Sequence, residues 1–278
     1  MKSGNILLRG LAVFAAYCVI QMIAGLLVPM NIPAAPHTLQ WMLLMNVVVV
    51  GSLIVVALRV EWRGWRLGLA VVAFPLAITA VNLLEGVVFL KAPHPDWARI
   101  FLYNLISSAL IVPVWTGLFG RQQNSLAHHF HPIQSQSMAQ RAWKFAVSDL
   151  LYLALYFGTG AIIFSYVKDF YAVQQLPPVG GIIALQLLVR GPIFILLCLC
   201  LTRMLGLSRL NGALVVGLVF TLLSGVAPLL LPNPYFPDSV RWVHFCEVTS
   251  ENFIFGAIVA WLWGPSEPLR EMAATQLA

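Results

Sequence analysis

His244, Glu247 and Glu251 stand at i, i+3 and i+7 in the stretch 240–264, VRWVHFCEVTSENFIFGAIVAWLWG. On a helix this spacing sets one imidazole and two carboxyls along a narrow stripe that Phe255 and Ile258 continue. The stretch is otherwise apolar and long enough to cross a bilayer. Ionisable side chains at membrane depth are costly, and by default they mark a functional site. Three chemistries are open to such a stripe: proton exchange, general acid–base catalysis and ligation of a cation. The last includes a metal held by His244, Glu247 and Glu251. The spacing is not itself a metal signature, since the chain has neither HExxH nor Glu-x-x-His.

Other apolar stretches supply partners. Asn82 and Glu85 are at i and i+3, Gln186 and Arg190 at i and i+4, Asn46 lies in a further stretch, and Asn252 follows Glu251. At a rise of ~1.5 Å per residue, Glu85 lies roughly 6–8 Å from the outer face, Glu247 roughly 10 Å, Arg190 roughly 13 Å and Glu251 roughly 15 Å. The overlap in depth predicts one site in the outer half of the membrane, built from Glu247, Glu251, Arg190, His244, Glu85, Asn252, Gln186 and Asn82. Three glutamates against Arg190 leave two negative charges in excess when all are ionised. A site of low polarity does not tolerate that excess, so either carboxyls hold protons or a cation sits among them. That cation is protonated His244, a metal ion or an amine. The sequence requires no cofactor; a bound cation is the one addition this count invites.

Arg190 is followed by Gly191 and Pro192, and the missing proline N–H predicts a broken helix with free carbonyls beside the site. Against these readings stand plain structural roles. Arg190 paired with Glu247 or Glu251 would fix helix order, Glu85 would face water, and His244 would be a hydrogen-bonded structural histidine. Asn46, Asn82 and Gln186 would make interhelical hydrogen bonds. Asp149, Tyr152 and Tyr156 repeat the i, i+3, i+7 spacing near Arg141 and Lys144, and read as an interfacial ion pair or packing stripe. His128, His129 and His131 read as solvated residues of a polar loop.

The elements that must position these residues are membrane helices. The chain of 278 residues is 60% hydrophobic and 9% charged, where soluble domains are about a quarter charged. Apolar segments at 6–30, 39–60, 66–90, 97–119, 143–168, 181–204, 209–231 and 240–264 predict an all-α polytopic membrane bundle of eight transmembrane helices, a single domain over 1–278. The first apolar run is longer than a signal-peptide core and counts as a helix. Cys18, Cys198, Cys200 and Cys246 lie inside spans without a CxxC, as buried free thiols.

Lys2, Arg9, Arg59, Arg63, Arg66, Arg121, Arg141, Lys144, Arg203, Arg209 and Arg270 are eleven of the 16 basic residues, and all fall at the termini or in even-numbered connections. The positive-inside rule then places both termini in the cytoplasm, with the chain in the cell membrane. The net charge of +6 reads as topology, and no nucleic-acid partner is expected. The partners implied are the lipid bilayer and a small-molecule or lipid substrate.

Halves 1–120 and 141–264, joined by the polar loop 121–140, echo one another. PHPDWARIFLYNLISS at 93–108 and PNPYFPDSVRWVHFCEVTS at 232–250 share Asp-x-x-Arg followed eight residues later by a hydroxyl pair. Arg9, Tyr17 and Gly25 match Lys144, Tyr152 and Gly160 in spacing. An even number of helices per copy predicts a parallel four-plus-four repeat. Leu105 and Ala109 then occupy the places of Glu247 and Glu251, so the acidic pair belongs to one half alone. No GxSxG, GxGD or P-loop is present. The leading expectation is a carrier for a small solute or lipid-like substrate. The alternatives are an intramembrane hydrolase or transferase acting on a lipid-linked substrate, and a non-catalytic scaffold or assembly factor.

Overall fold

The computed structural model describes residues 3–29, 36–60, 62–91, 94–120, 136–233 and 236–264. Lys2, Arg121, Arg270 and the loop histidines His128, His129 and His131 lie outside the described residues. Within them the chain forms an all-α polytopic bundle. Eight helices are long and apolar enough to cross a membrane. They are α1 Ser3–Leu27, α2 Thr38–Arg59, α3 Trp65–Phe89, α4 His94–Phe119, α5 Met138–Ala172, α6 Val179–Leu205, α7 Arg209–Leu230 and α8 Asp238–Trp263. These match the eight expected segments to within a few residues. Outward-facing Leu26, Ile162 and Leu188 are 83, 75 and 76% exposed, a surface suited to lipid rather than water.

Prolines set the irregularities. α6 does not break at Gly191–Pro192 as the sequence suggests; it runs on through a π-helical turn, Gln186–Arg190, in which Gly191 N–H bonds to Gln186 O. α7 repeats the device: Leu222–Val226 is π-helical and Ala227 N–H bonds to Leu222 O, immediately before Pro228. A proline ring crowds the carbonyl four residues back and offers no N–H, and a wider turn relieves that crowding while keeping the helix continuous.

Helix ends are closed by basic side chains. Arg9 Nη1 donates to Leu118 O at 2.7 Å, Lys144 Nζ to Leu262 O at 2.9 Å and Arg209 Nε to Trp261 O at 2.7 Å. Each satisfies a carbonyl that the last turn of α4 or α8 leaves free. These bonds also place the start of α1, α5 and α7 and the end of α4 and α8 on one face, here the terminal face. On the far face Arg241, 2% exposed, donates to Leu229 O and Leu230 O at the end of α7 and bonds Asp238.

Neighbour relations correspond in the two halves. α4 packs on α1 and α3, α8 packs on α5 and α7, and α2 meets α7 across the middle. Glycines allow the closest crossings. A methyl added at Gly217 in α7 would lie 2.9 Å from Phe253 O and 3.1 Å from Ala257 Cβ in α8, and one at Gly256 would lie 3.2 Å from Gly217 Cα. Gly217→Leu is therefore expected to force α7 and α8 apart and cost at least about 3 kcal/mol. Denaturant titration in mixed micelles reads this; an unchanged midpoint would mean that the contact is not tight.

Candidate functional site

Four helices bring polar groups together in the half of the bundle toward the far face. α3 supplies Glu85, α6 supplies Arg190, α8 supplies His244, Glu247 and Glu251, and α5 supplies Tyr152, Tyr156, Thr159 and Tyr171. The centre is an ion pair between Arg190 Nη1 and Glu85 Oε1, with the arginine side chain 8% and the glutamate 24% exposed. Sequence reasoning paired Arg190 with Glu247 or Glu251 and allowed Glu85 to face water. The structure assigns Arg190 to Glu85, because the guanidinium on α6 reaches across to α3. The Arg190 guanidinium also lies over the rings of Phe194, at 5.2 Å, and Tyr152, at 5.9 Å, a low-polarity setting in which charge pairing is strong.

Glu251 is 4% exposed. Thr159 Oγ1 lies 3.5 Å from its Oε2, at the outer limit of a hydrogen bond. Its Oε1 has no partner among the described residues. The charges of Arg190, Glu247 and Glu85 all act on it. His244 Nδ1 is 2.6 Å from Glu247 Oε2, and the Tyr171 hydroxyl is 2.9 Å from His244 Nε2. The i, i+3, i+7 stripe of α8 thus faces α5 along its length.

A buried aromatic layer lies on the terminal side of the site. Tyr152, Phe194, Phe220 and Phe255 come from α5, α6, α7 and α8, and each is fully buried. Their ring centroids are 5.1–6.1 Å apart, mostly edge to face. Glu251 is one turn from Phe255, and Arg190 one turn from Phe194, on the far-face side.

The remaining sequence candidates divide. Gln186 is fully buried one turn from Arg190, with neither amide atom bonded among the described residues. Asn82 has an unpartnered Oδ1 on α3. Asn252 turns away from the site: its Nδ2 donates to Ser224 Oγ of α7 at 2.9 Å, since one residue along a helix is about 100° around it. Asn46 is also elsewhere, in a reciprocal amide pair with Gln21 of α1, 3.1 and 2.7 Å. Asn46→Ala is expected to cost about 1–2 kcal/mol by orphaning the Gln21 amide, and Gln21→Leu/Asn46→Leu to recover most of it. Equal loss in the single and double variants, measured by unfolding, would overturn that reading.

The α5 stripe is a packing stripe, one of its two expected roles: Tyr152 packs on Phe194 and Phe255. Tyr152 and Tyr156 lie close enough to Glu85, Arg190 and Glu251 to interact electrostatically. Asp149 does not join Lys144 in an interfacial ion pair: Lys144 bonds the end of α8, while Asp149 sits against Gly191, where an added methyl would fall 2.1 Å from its Oδ1. Thr159 and Tyr171 were missed; their signal is the same helical face carried one turn further to Thr159 and about four turns further to Tyr171. Among the described residues no three His, Cys, Asp or Glu side chains converge to hold a metal ion, so a metal at His244, Glu247 and Glu251 gains no support.

Fold and site define a polytopic membrane bundle with a buried polar site that the described side chains leave incompletely bonded. Comparison of the chain with family models, curated proteins and solved structures finds no match.

Proposed function

We propose that the protein is a proton-coupled carrier for a small solute or lipid-like substrate, with Glu251 as the carboxyl that gains and loses the proton. The observation that carries the reading is that Glu251 is almost fully buried with one oxygen unpartnered. Most buried polar side chains that serve as glue have their bonds made, as the Asn46–Gln21 pair does. A carboxyl held in low polarity beside an arginine that is ion-paired with Glu85 is instead placed to exchange a proton or a cation.

Two further features support the reading. The aromatic layer lies on one side of the site, as one state of an alternating-access carrier requires. The π-helical turns before Pro192 and Pro228 give α6 and α7 points at which register can change beside the site. The corresponding neighbour relations of the two halves, with the paired echoes of Arg9 and Lys144, support a parallel repeat about an axis along the membrane normal. The excess of basic residues at the terminal face supports a cytoplasmic position for it.

The test uses purified protein in liposomes with a trapped pH indicator, challenged with panels of amines, amino acids, sugars and polar lipids. At least one class is expected to drive a change of internal pH in wild-type vesicles and not in empty ones. Solute-driven proton movement that persists unchanged in Glu251→Gln vesicles would sink the proposal.

A further inference from the structure

We infer that Tyr171, His244 and Glu247 form a proton relay that loads Glu251 from the far face, which makes H⁺ the coupling ion; this rests on the carrier reading above. The first two contacts are at hydrogen-bond distance. Tyr171 hydroxyl to His244 Nε2 is 2.9 Å and His244 Nδ1 to Glu247 Oε2 is 2.6 Å. The last step passes between Glu247 and Glu251, one helical turn apart on α8, whose carboxyls both lie against the Thr159–Gly160 segment of α5. Glu247 Oε1 lies 3.6 Å from the position of a β-carbon on Gly160, and Glu251 Oε2 lies 3.5 Å from Thr159 Oγ1. The free Oε1 of Glu251 is the receiving atom.

The imidazole is held for transfer. Tyr171 and Phe236 stand edge to face against it, with centroids at 5.8 and 5.4 Å, which packs the ring on two sides. Exposure falls along the line: the His244 and Glu247 side chains are 14 and 10% exposed, and Glu251 is buried. The groups facing His244 are Tyr171 from α5 and Glu247 from its own helix. Glu85 of α3 and Arg190 of α6 act on Tyr171. Asp238 and Arg241 pair with each other at the helix start.

The step balances as proton transfer alone. With Glu247 ionised, Nδ1 carries the ring proton and Nε2 accepts from the tyrosine. The Tyr171 O–H bond breaks as an N–H bond forms at Nε2, making imidazolium, and the phenol oxygen takes a proton from the far face in its place. The Nδ1–H bond then breaks as an O–H bond forms on Glu247, leaving a neutral ring. The Glu247 O–H bond breaks in turn as one forms on Glu251. The ring is reset when Nδ1 takes a proton from far-face solvent as the Nε2–H bond gives its proton up to that solvent, which restores the Nδ1 tautomer.

Time-resolved infrared spectroscopy of the full protein in lipid, after a pH jump, reads this directly. The carbonyl band of protonated Glu251 is assigned by its loss in Glu251→Gln. His244→Gln is expected to keep the band and slow its appearance at least about tenfold, with melting temperature unchanged, and Tyr171→Phe to slow it less. A band present with wild-type kinetics in both variants overturns the relay and leaves the carrier reading standing. A wild-type protein with no such band at any pH overturns both.

Discussion

Glu251→Gln is expected to lower solute-driven proton flux at least about a hundredfold, the scale of losing a positioned acid–base group, while leaving the fold as stable as before or more so. Glutamine preserves the shape of the side chain and its contact with Thr159. It removes a carboxyl that the bundle buries without a counter-charge of its own, because the Arg190 guanidinium is bonded to Glu85. A buried group in that position contributes little to stability when charged and can only exchange what it binds. The two readouts separate the candidate roles. Loss of flux with an unchanged unfolding midpoint fits a coupling residue. A lower midpoint, with flux reduced only in proportion to folded protein, fits interhelical glue and would count for the scaffold alternative. The conservative Glu251→Asp variant retains the chemistry on a shorter arm, and is expected to keep part of the flux with the same dependence on external pH.

Arg190→Met should be the most destabilising substitution in the site, by about 3–5 kcal/mol, because it leaves Glu85 in a low-polarity setting without its cation. Glu85→Gln is expected to cost less. Its side chain is 24% exposed, and the guanidinium left behind still lies over Phe194 and Tyr152 and within the field of Glu251. The double variant Glu85→Gln/Arg190→Met removes both charges and should recover most of the single loss, since a neutral pair of similar volume is often as stable as the ion pair it replaces. Reversible unfolding in mixed micelles measures all three. A double variant no more stable than Arg190→Met would mean that the arginine chiefly serves Glu251, and that the Glu85 contact is incidental.

Much of this was legible in the chain. Segments such as 39–60 and 66–90 are long and predominantly apolar, so a bilayer-spanning helix is their only economical state, and the eight helices follow. The stripe His244–Glu247–Glu251 was legible because three residues on one helix need only the helical period to share a face. Partner choice was not. Depth brought Arg190 level with both Glu85 and Glu251, but depth is a single coordinate; which glutamate the guanidinium meets depends on the azimuth of α3, α6 and α8 around the bundle. The place of the α5 tyrosines beside the site was hidden for a related reason. Asp149, Tyr152 and Tyr156 were seen as a packing or interfacial stripe, the latter because the nearest charges in sequence are Arg141 and Lys144. The helix then rotates that stripe onto α6 and α8, while Lys144 caps the end of α8.

The basic residues make the same point. Counted along the chain, Arg9, Lys144 and Arg209 are topology signals. In the fold they also close the carbonyl ends of α4 and α8, a role that exists only once those ends are neighbours. By itself the sequence determined the class, the helices and the presence of ionisable groups at membrane depth, because hydrophobic length and helical period are local properties. The tertiary structure alone decided which carboxyl is paired, which is left with a free oxygen, and which tyrosine touches the histidine. Those outcomes are set by helix azimuth and by close crossings at Gly217 and Gly256, which no spacing along one chain specifies.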